Sequence, residues 1–254
     1  MAPAAAPAPG AGARLASVTV DAADPPALAR WWARALDWHP GYADDQEVDV
    51  DPPEGEAGVP LVFVPVREPK RGPNRVHLDL DTSSPADQRQ TVEFLLDSGA
   101  RRADVGQGQV PWVVLADPEG NEFCVLDPRP EYEGCGRVAA IVVQALRPQE
   151  LAQFWAPLAG WRQARWGPSV AALRDGRRGP YLEFVRTTTP HSVKNRWHLD
   201  VRPTSPPPGQ DRVVREARAA GARPVDVGQH PRVSWVVLAD PEGNEFCVLS
   251  GRGG

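Results

Sequence analysis

Residues 112–126 read WVVLADPEGNEFCVL, and residues 235–249 repeat that run letter for letter. An identical stretch at so long a spacing marks a duplicated domain, not a solenoid of short units. Working outward, Asn74-Arg75-Val76-His77-Leu78-Asp79 recurs as Asn195-Arg196-Trp197-His198-Leu199-Asp200. Gly99-Ala100-Arg101 and Asp104-Val105-Gly106-Gln107 recur as Gly221-Ala222-Arg223 and Asp226-Val227-Gly228-Gln229. Near each start, Leu28-Ala29-Arg30-Trp31-Trp32 answers Leu151-Ala152-Gln153-Phe154-Trp155. The copies are placed at residues 14–128 and 137–251, each large enough for a core of its own. Residues 129–136 carry Pro, Gly and charge, as expected of an exposed linker. Residues 1–13 are almost only Ala, Pro and Gly, which predicts a disordered tail without the features of a signal peptide.

The formal net charge is −5. Acids outnumber bases in the first copy and bases outnumber acids in the second. Opposite signs on tethered domains favour docking of one on the other, or a homodimer. The bases of the second copy are scattered and no nucleic-acid motif accompanies them, so a nucleic-acid partner is not expected. Nor does any stretch look apolar enough to cross a membrane. A cytoplasmic protein is the expectation. Cys124 and Cys247 are repeat equivalents and Cys135 stands alone in the linker, which is not a disulfide framework.

Within each copy the periodicities predict two βαβββ units, an α+β architecture with helices on one side of β-rich layers. Asp24-Pro25-Pro26 opens a helix, with Asp24 at the N-cap and Leu28, Trp31, Trp32 and Leu36 as its apolar stripe. A second helix is expected at 84–98, and their counterparts at 149–158 and 210–220. Strands are expected at 16–21, 41–44, 47–50, 59–66, 75–81, 101–105, 111–116 and 122–126. In the second copy they fall at 138–143, 162–165, 170–173, 181–186, 197–201, 223–227, 233–239 and 245–249.

Asp117-Pro118-Glu119-Gly120-Asn121, and its equivalent from Asp240 to Asn244, suit a hairpin turn and are expected only to shape the hairpin. Side chains alternate across a strand. Ser17, Thr19 and Asp21 therefore share a face, as do Arg75, His77, Asp79 and Asp81, and Glu122, Cys124 and Leu126. Such a face is either solvated, with pairs such as Arg75 to Asp79, or lines a ligand cup. His39, His191 and His230 have no partner in the other copy and read as surface or loop histidines. The pairs Trp31-Trp32 and Phe154-Trp155 read as core. No phosphate loop, GxSxG, HExxH or zinc-like Cys spacing is present.

Together, Val20-Asp21-Ala22-Ala23-Asp24-Pro25 with Trp31-Trp32, the Asn74–Asp79 block and the Asp117–Leu126 block resemble the vicinal oxygen chelate superfamily. Within it, the likeness is to the glyoxalase-like, bleomycin-resistance and dioxygenase-type proteins common in high-GC bacteria. The resemblance implies that each copy folds its two units into a cupped eight-stranded mixed sheet with a small ligand inside. It also implies a divalent metal held by His and Glu. Carried over position by position, those ligands fall on Ser17 and Ala140, on His77 and His198, and on Cys124 and Cys247, with Glu183 as a fourth in the second copy only. Ser and Ala do not replace an imidazole. The leading expectation is a small-molecule binder with no stoichiometric metal, its ligand met by Ser17, Asp21, Arg75, Cys124, Arg196 and Cys247. The alternative is a lyase or isomerase on a small carbonyl compound or hemithioacetal. There His77 and His198 are bases, Asp79 and Asp200 orient them, and Glu122 and Glu245 are partner acids. A metal, if held, uses at best His77, Cys124, His198 and Cys247. A third alternative is a scaffold whose cups are filled by side chains.

Overall fold

The computed structural model describes residues 12–205, 209–229 and 232–250. His230 and the expected tail up to residue 11 lie outside them. Four βαβββ units follow one another. The first is β1 (Ala13–Ala22), α1 (Pro25–Leu36), β2 (His39–Ala43), β3 (Val48–Asp51) and β4 (Leu61–Pro65). The second is β5 (Val76–Leu80), α2 (Pro85–Asp97), β6 (Arg101–Arg102), β7 (Val113–Ala116) and β8 (Glu122–Val125). The third is β9 (Val138–Ala145), α3 (Pro148–Ala159), β10 (Arg162–Trp166), β11 (Val170–Arg174) and β12 (Tyr181–Arg186). The fourth is β13 (Trp197–Pro203), α4 (Gly209–Ala219), β14 (Arg223–Pro224), β15 (Val236–Ala239) and β16 (Glu245–Val248).

Local chemistry explains most boundaries. Asp24 caps α1, its Oδ1 accepting the Ala27 N–H at 3.0 Å, and Pro follows at the first helical positions. Ser84 caps α2 in the same way, accepting from Asp87 N–H. The strands expected at 101–105 and 223–227 shrink to two residues each. The repeated Asp-Val-Gly-Gln run folds into a turn instead: Asp104 Oδ1 accepts from Gly106 N–H, and Asp226 Oδ1 from Gly228 N–H. A local side-chain acceptor outcompetes the sheet ladder there.

The strands form two eight-stranded mixed sheets, but their units are not paired as expected. One sheet runs β14-β15-β16-β13-β1-β4-β3-β2, and the other β10-β11-β12-β9-β5-β8-β7-β6. The first and fourth units thus build one sheet, and the second and third build the other. We call these the outer and inner sheets. Each sheet draws one unit from each copy, joined by antiparallel pairing of β1 with β13 and of β5 with β9. The expectation that each copy closes its own cup is corrected. The short linker holds the second and third units side by side, which leaves the first and fourth to pair with each other.

One large core joins the sheets, and a second, smaller cluster gathers around Cys124, Tyr132 and Cys135. Trp32 of α1, fully buried, packs edge-on against Phe123 of the inner sheet (5.1 Å) and Trp197 of the outer sheet (5.3 Å). Trp155 of α3 meets Phe246 of the outer sheet at 5.0 Å. The aromatic pairs of α1 and α3 are therefore core, and they stitch the sheets together through apolar area. No described helix is long and apolar enough to cross a membrane.

Candidate functional site

Alternation divides each sheet into a core face and a cup face turned away from it. Val18, Val20 and Ala22 of β1 are fully buried in the core, so Ser17, Thr19 and Asp21 lie on the cup face. Trp197, Leu199 and Val201 of β13 do the same and put His198 and Asp200 beside them. Register then assembles the outer cup: Ser17 pairs with Asp200, Thr19 with His198, and Asp200 with Cys247. In the inner cup Asp79 pairs with both Ala140 and Cys124, while His77 pairs with Val142.

The same three side chains converge on both floors. The ligand atoms of His77, Asp79 and Cys124 lie within 4.8 Å of one another, as do those of His198, Asp200 and Cys247. His77 Nε2 stands 3.5 Å from Asp79 Oδ1, and His198 Nε2 3.3 Å from Asp200 Oδ1. Cys247 Sγ is 3.6 Å from His198 Nε2. Burial, with the neighbouring Asp79 carboxylate second, pushes the Cys124 thiol far up; burial and Asp200 do the same to Cys247. Burial also raises the Asp200 carboxyl, against the opposing pull of His198 and of the Thr19 hydroxyl, which donates to Asp200 Oδ2 at 2.7 Å.

The two floors differ beside this shared core. In the inner cup Glu183 lies in register with Val142, next to His77. The fourth ligand position was placed in the second copy with His198; the structure puts it with His77 and Cys124. Burial raises the Glu183 carboxyl, although Arg165 pairs with it at 2.5 Å and Tyr132 Oη donates to it at 3.2 Å. Tyr132 and Cys135 come from the linker and are both only 2% exposed. Most of the linker is exposed, as expected of its composition, but these two side chains turn inward. The linker folds over the inner cup, with Arg165 against the rings of Tyr132 and Tyr181 and Arg129 over Trp112. In the outer cup Asp21 is paired with Lys194.

Several expected site residues are engaged elsewhere. Glu122 binds Lys70 and accepts the Asn74 N–H; Glu245 faces His191 at 3.3 Å and accepts the Asn195 N–H. Both brace the loop before a His-bearing strand, which leaves neither placed as a partner acid. Arg75 does not pair with Asp79. It donates to Gln144 O, Thr189 O and Asn244 Oδ1, and Arg196 donates to Glu68 O and Glu119. These arginines clamp one sheet to the other instead of facing a ligand. His39 sits exposed in β2, and His191 is a loop residue, half-buried against Glu245.

The repeated turn also exceeds its expected role. Asp117 Oδ2 accepts Trp32 Nε1–H, and Asp240 Oδ2 accepts Trp155 Nε1–H, which ties each hairpin to a helix of the other sheet's unit. Gly120 and Gly243 take the positive φ the turn requires (88° and 96°). Glu119 and Glu242 accept the backbone N–H groups of Ala23 and Asp24, and of Leu146 and Arg147, at the starts of α1 and α3. Repetition of the turn next to helices with the same Trp was the only signal in the sequence for this contact.

A groove of about 650 Å³ between α1 and α2, lined by Arg34, Asp37, Glu56, Asp87 and Phe94 among others, shares no residue with either cluster.

Comparison with known proteins agrees with this geometry. No curated protein matches the chain. Glyoxalase I from Zea mays superposes with a TM-score of 0.60 at 12% identity, over 94% of this chain and 92% of that one. A putative dioxygenase from Bacillus subtilis subsp. subtilis str. 168 superposes with a TM-score of 0.59 at 12% identity, over 95% and 86%. Identities this low speak for the fold alone. The glyoxalase-like domain model matches twice, over residues 17–126 and 140–249, which together span most of the chain, and the protein belongs to that family.

Proposed function

We propose that the protein binds a small polar or aromatic molecule on its cup faces, without the metal chemistry usual in its superfamily. The observation that carries this reading is the recessed polarity of the two floors. His198 and Asp200 side chains are 13% and 8% exposed, and those of His77 and Asp79 16% and 14%. A merely solvated strand face would be open to water, and core packing demands nothing of these positions. Sheltered, convergent polar groups are what orient a small ligand. The superfamily's metal set does not fit, because Ser17, Ala140, Cys124 and Cys247 occupy its ligand positions.

Trp235 supplies a reporter. It is 40% exposed and lies two residues before Val237, the ladder partner of Cys247. Titration with catechol, and separately with the methylglyoxal–glutathione hemithioacetal, should quench its fluorescence saturably. Trp235→Phe should remove the response. Absence of both quenching and thermal stabilisation with either compound would count against the reading.

One observation favours a second reading as a lyase or isomerase. Each His faces an Asp at 3.3–3.5 Å, an arrangement that holds an imidazole for proton transfer. Turnover of the hemithioacetal that survives the joint change of His77 and His198 to Ala would dispose of it.

A further inference from the structure

The inner cup is covered by the chain's own linker, and the cover is fastened at few points. Residues 129–136 run from β8 toward β9 with Pro130, Glu131, Glu133, Gly134 and Gly136 exposed. Tyr132 and Cys135 turn inward and join Cys124, Val114, Leu126 and Ala139 in the small apolar cluster that stands apart from the main core. Cys124 belongs to the floor of the inner cup, so this cluster fills the space between linker and floor. The Tyr132 ring stands edge-on to Tyr181 of β12 at 5.9 Å, and its hydroxyl donates to Glu183 Oε1 at 3.2 Å. Arg165 lies over both rings, 5.3 and 4.9 Å from their centres, and pairs with the same carboxylate.

The outer cup is built differently at the matching positions. Val62 pairs with Thr19 as Glu183 pairs with Val142, so the outer cup has an apolar side chain where the inner one has the acceptor for Tyr132. Trp112 of the inner sheet lies under the guanidinium of Arg129 at 5.4 Å, whereas its repeat equivalent Trp235 is 40% exposed.

The linker's backbone is weakly tied. Tyr132 N–H donates to Arg129 O, Glu133 N–H to Pro130 O and Cys135 N–H to Tyr132 O, all within the segment itself. Gly179 N–H reaches Gly134 O from outside at 3.2 Å. A segment with exposed backbone and few buried contacts opens locally at lower free energy than the strands beneath it.

We propose that residues 129–136 are a strap that closes the inner cup, with Tyr132 as its latch on Glu183. Small molecules reach the inner floor only when Tyr132 swings out, while the outer cup is not governed by this latch. The strap goes beyond the binding reading above and stands without it, because its test needs no bound ligand.

Cys124 on the inner floor, Cys135 in the strap and Cys247 on the outer floor are built-in reporters. The full chain is treated with methyl methanethiolsulfonate, a small uncharged thiol reagent, and modification of each cysteine is followed by peptide mass. Tyr132→Ala should speed modification of Cys124 and Cys135 at least tenfold and leave the rate at Cys247 unchanged. Tyr132→Phe keeps the ring, loses the bond to Glu183 and should give a smaller rise. Equal acceleration at all three cysteines would mean general loosening and would overturn the strap. So would unchanged rates, or acceleration at Cys135 without Cys124. Hydrogen exchange of the unmutated chain decides the matter even if Tyr132→Ala does not fold. The Cys135 and Gly179 amides should exchange together and at least tenfold faster than the amides of the β5–β9 ladder, and exchange at the pace of that ladder would refute local opening.

Discussion

Replacing Asp240 by Ala should destabilise the whole molecule, not only its hairpin. Asp240 is fully buried, and its two oxygens accept four hydrogen bonds. The donors are Trp155 Nε1 at 3.2 Å, Glu242 N at 2.9 Å, Asn244 N at 3.0 Å and Asn244 Nδ2 at 2.9 Å. Burial raises its carboxyl, yet these four donors hold the group in place. Removal leaves several buried donors unpaired, each worth about 1–3 kcal/mol, of which the turn's backbone groups recover part by reaching water. A net loss of about 3–5 kcal/mol follows, in the range found when one partner of a buried charged network is deleted. For a chain of this size that lowers Tm by roughly 10 °C. Scanning calorimetry of Asp240→Ala and of its equivalent Asp117→Ala reads the effect directly. A change below about 2 °C in both would refute the view that the turn ties helix to hairpin across the sheets. Trp155→Phe keeps most of the apolar contact and should cost less, and the Trp155–Asp240 double-mutant cycle should show positive coupling.

Arg75→Lys should lose about 2–4 kcal/mol in chemical denaturation, because a single ammonium does not reach Gln144 O, Thr189 O and Asn244 Oδ1 together. Glu245 is buried, which opposes its ionisation, but His191 and the Asn195 N–H outweigh that and hold its carboxyl below the usual range. Its ionised form therefore contributes stability that is complete above the ordinary glutamate range and lost as pH falls through the lowered value. Glu245→Gln should flatten that part of the acid limb, and an unchanged pH–stability curve would contradict it. Residues 1–128 expressed alone supply only half of each sheet and should fail to form a folded monomer, whereas co-expression with residues 129–254 should restore a one-to-one complex by light scattering.

The duplication, the four βαβββ units and the α+β class were legible because turn residues, caps and alternation act over a few neighbours. Asp24 and Ser84 cap helices whose starts could be read directly, and His77 and His198 lie on the strand faces that alternation gave them. The pairing of units was not legible. Both copies carry the same motifs, so no local pattern says whether β1 should lie beside β5 or beside β13. That choice is made by the tryptophans of α1 and α3 between the sheets, and by a linker that keeps the second and third units adjacent. The linker itself read as exposed from its Pro, Gly and charge, yet Tyr132 finds Glu183, a residue far along the chain. The roles of Arg75, Arg196, Glu122 and Glu245 were hidden for the same reason: their partners are brought together only by folding. Sequence by itself determined which side chains share a strand face, because alternation along a strand is a local geometric rule. Tertiary structure alone decided which of them meet, since convergence of His, Asp and Cys depends on register between strands that the sequence places far apart.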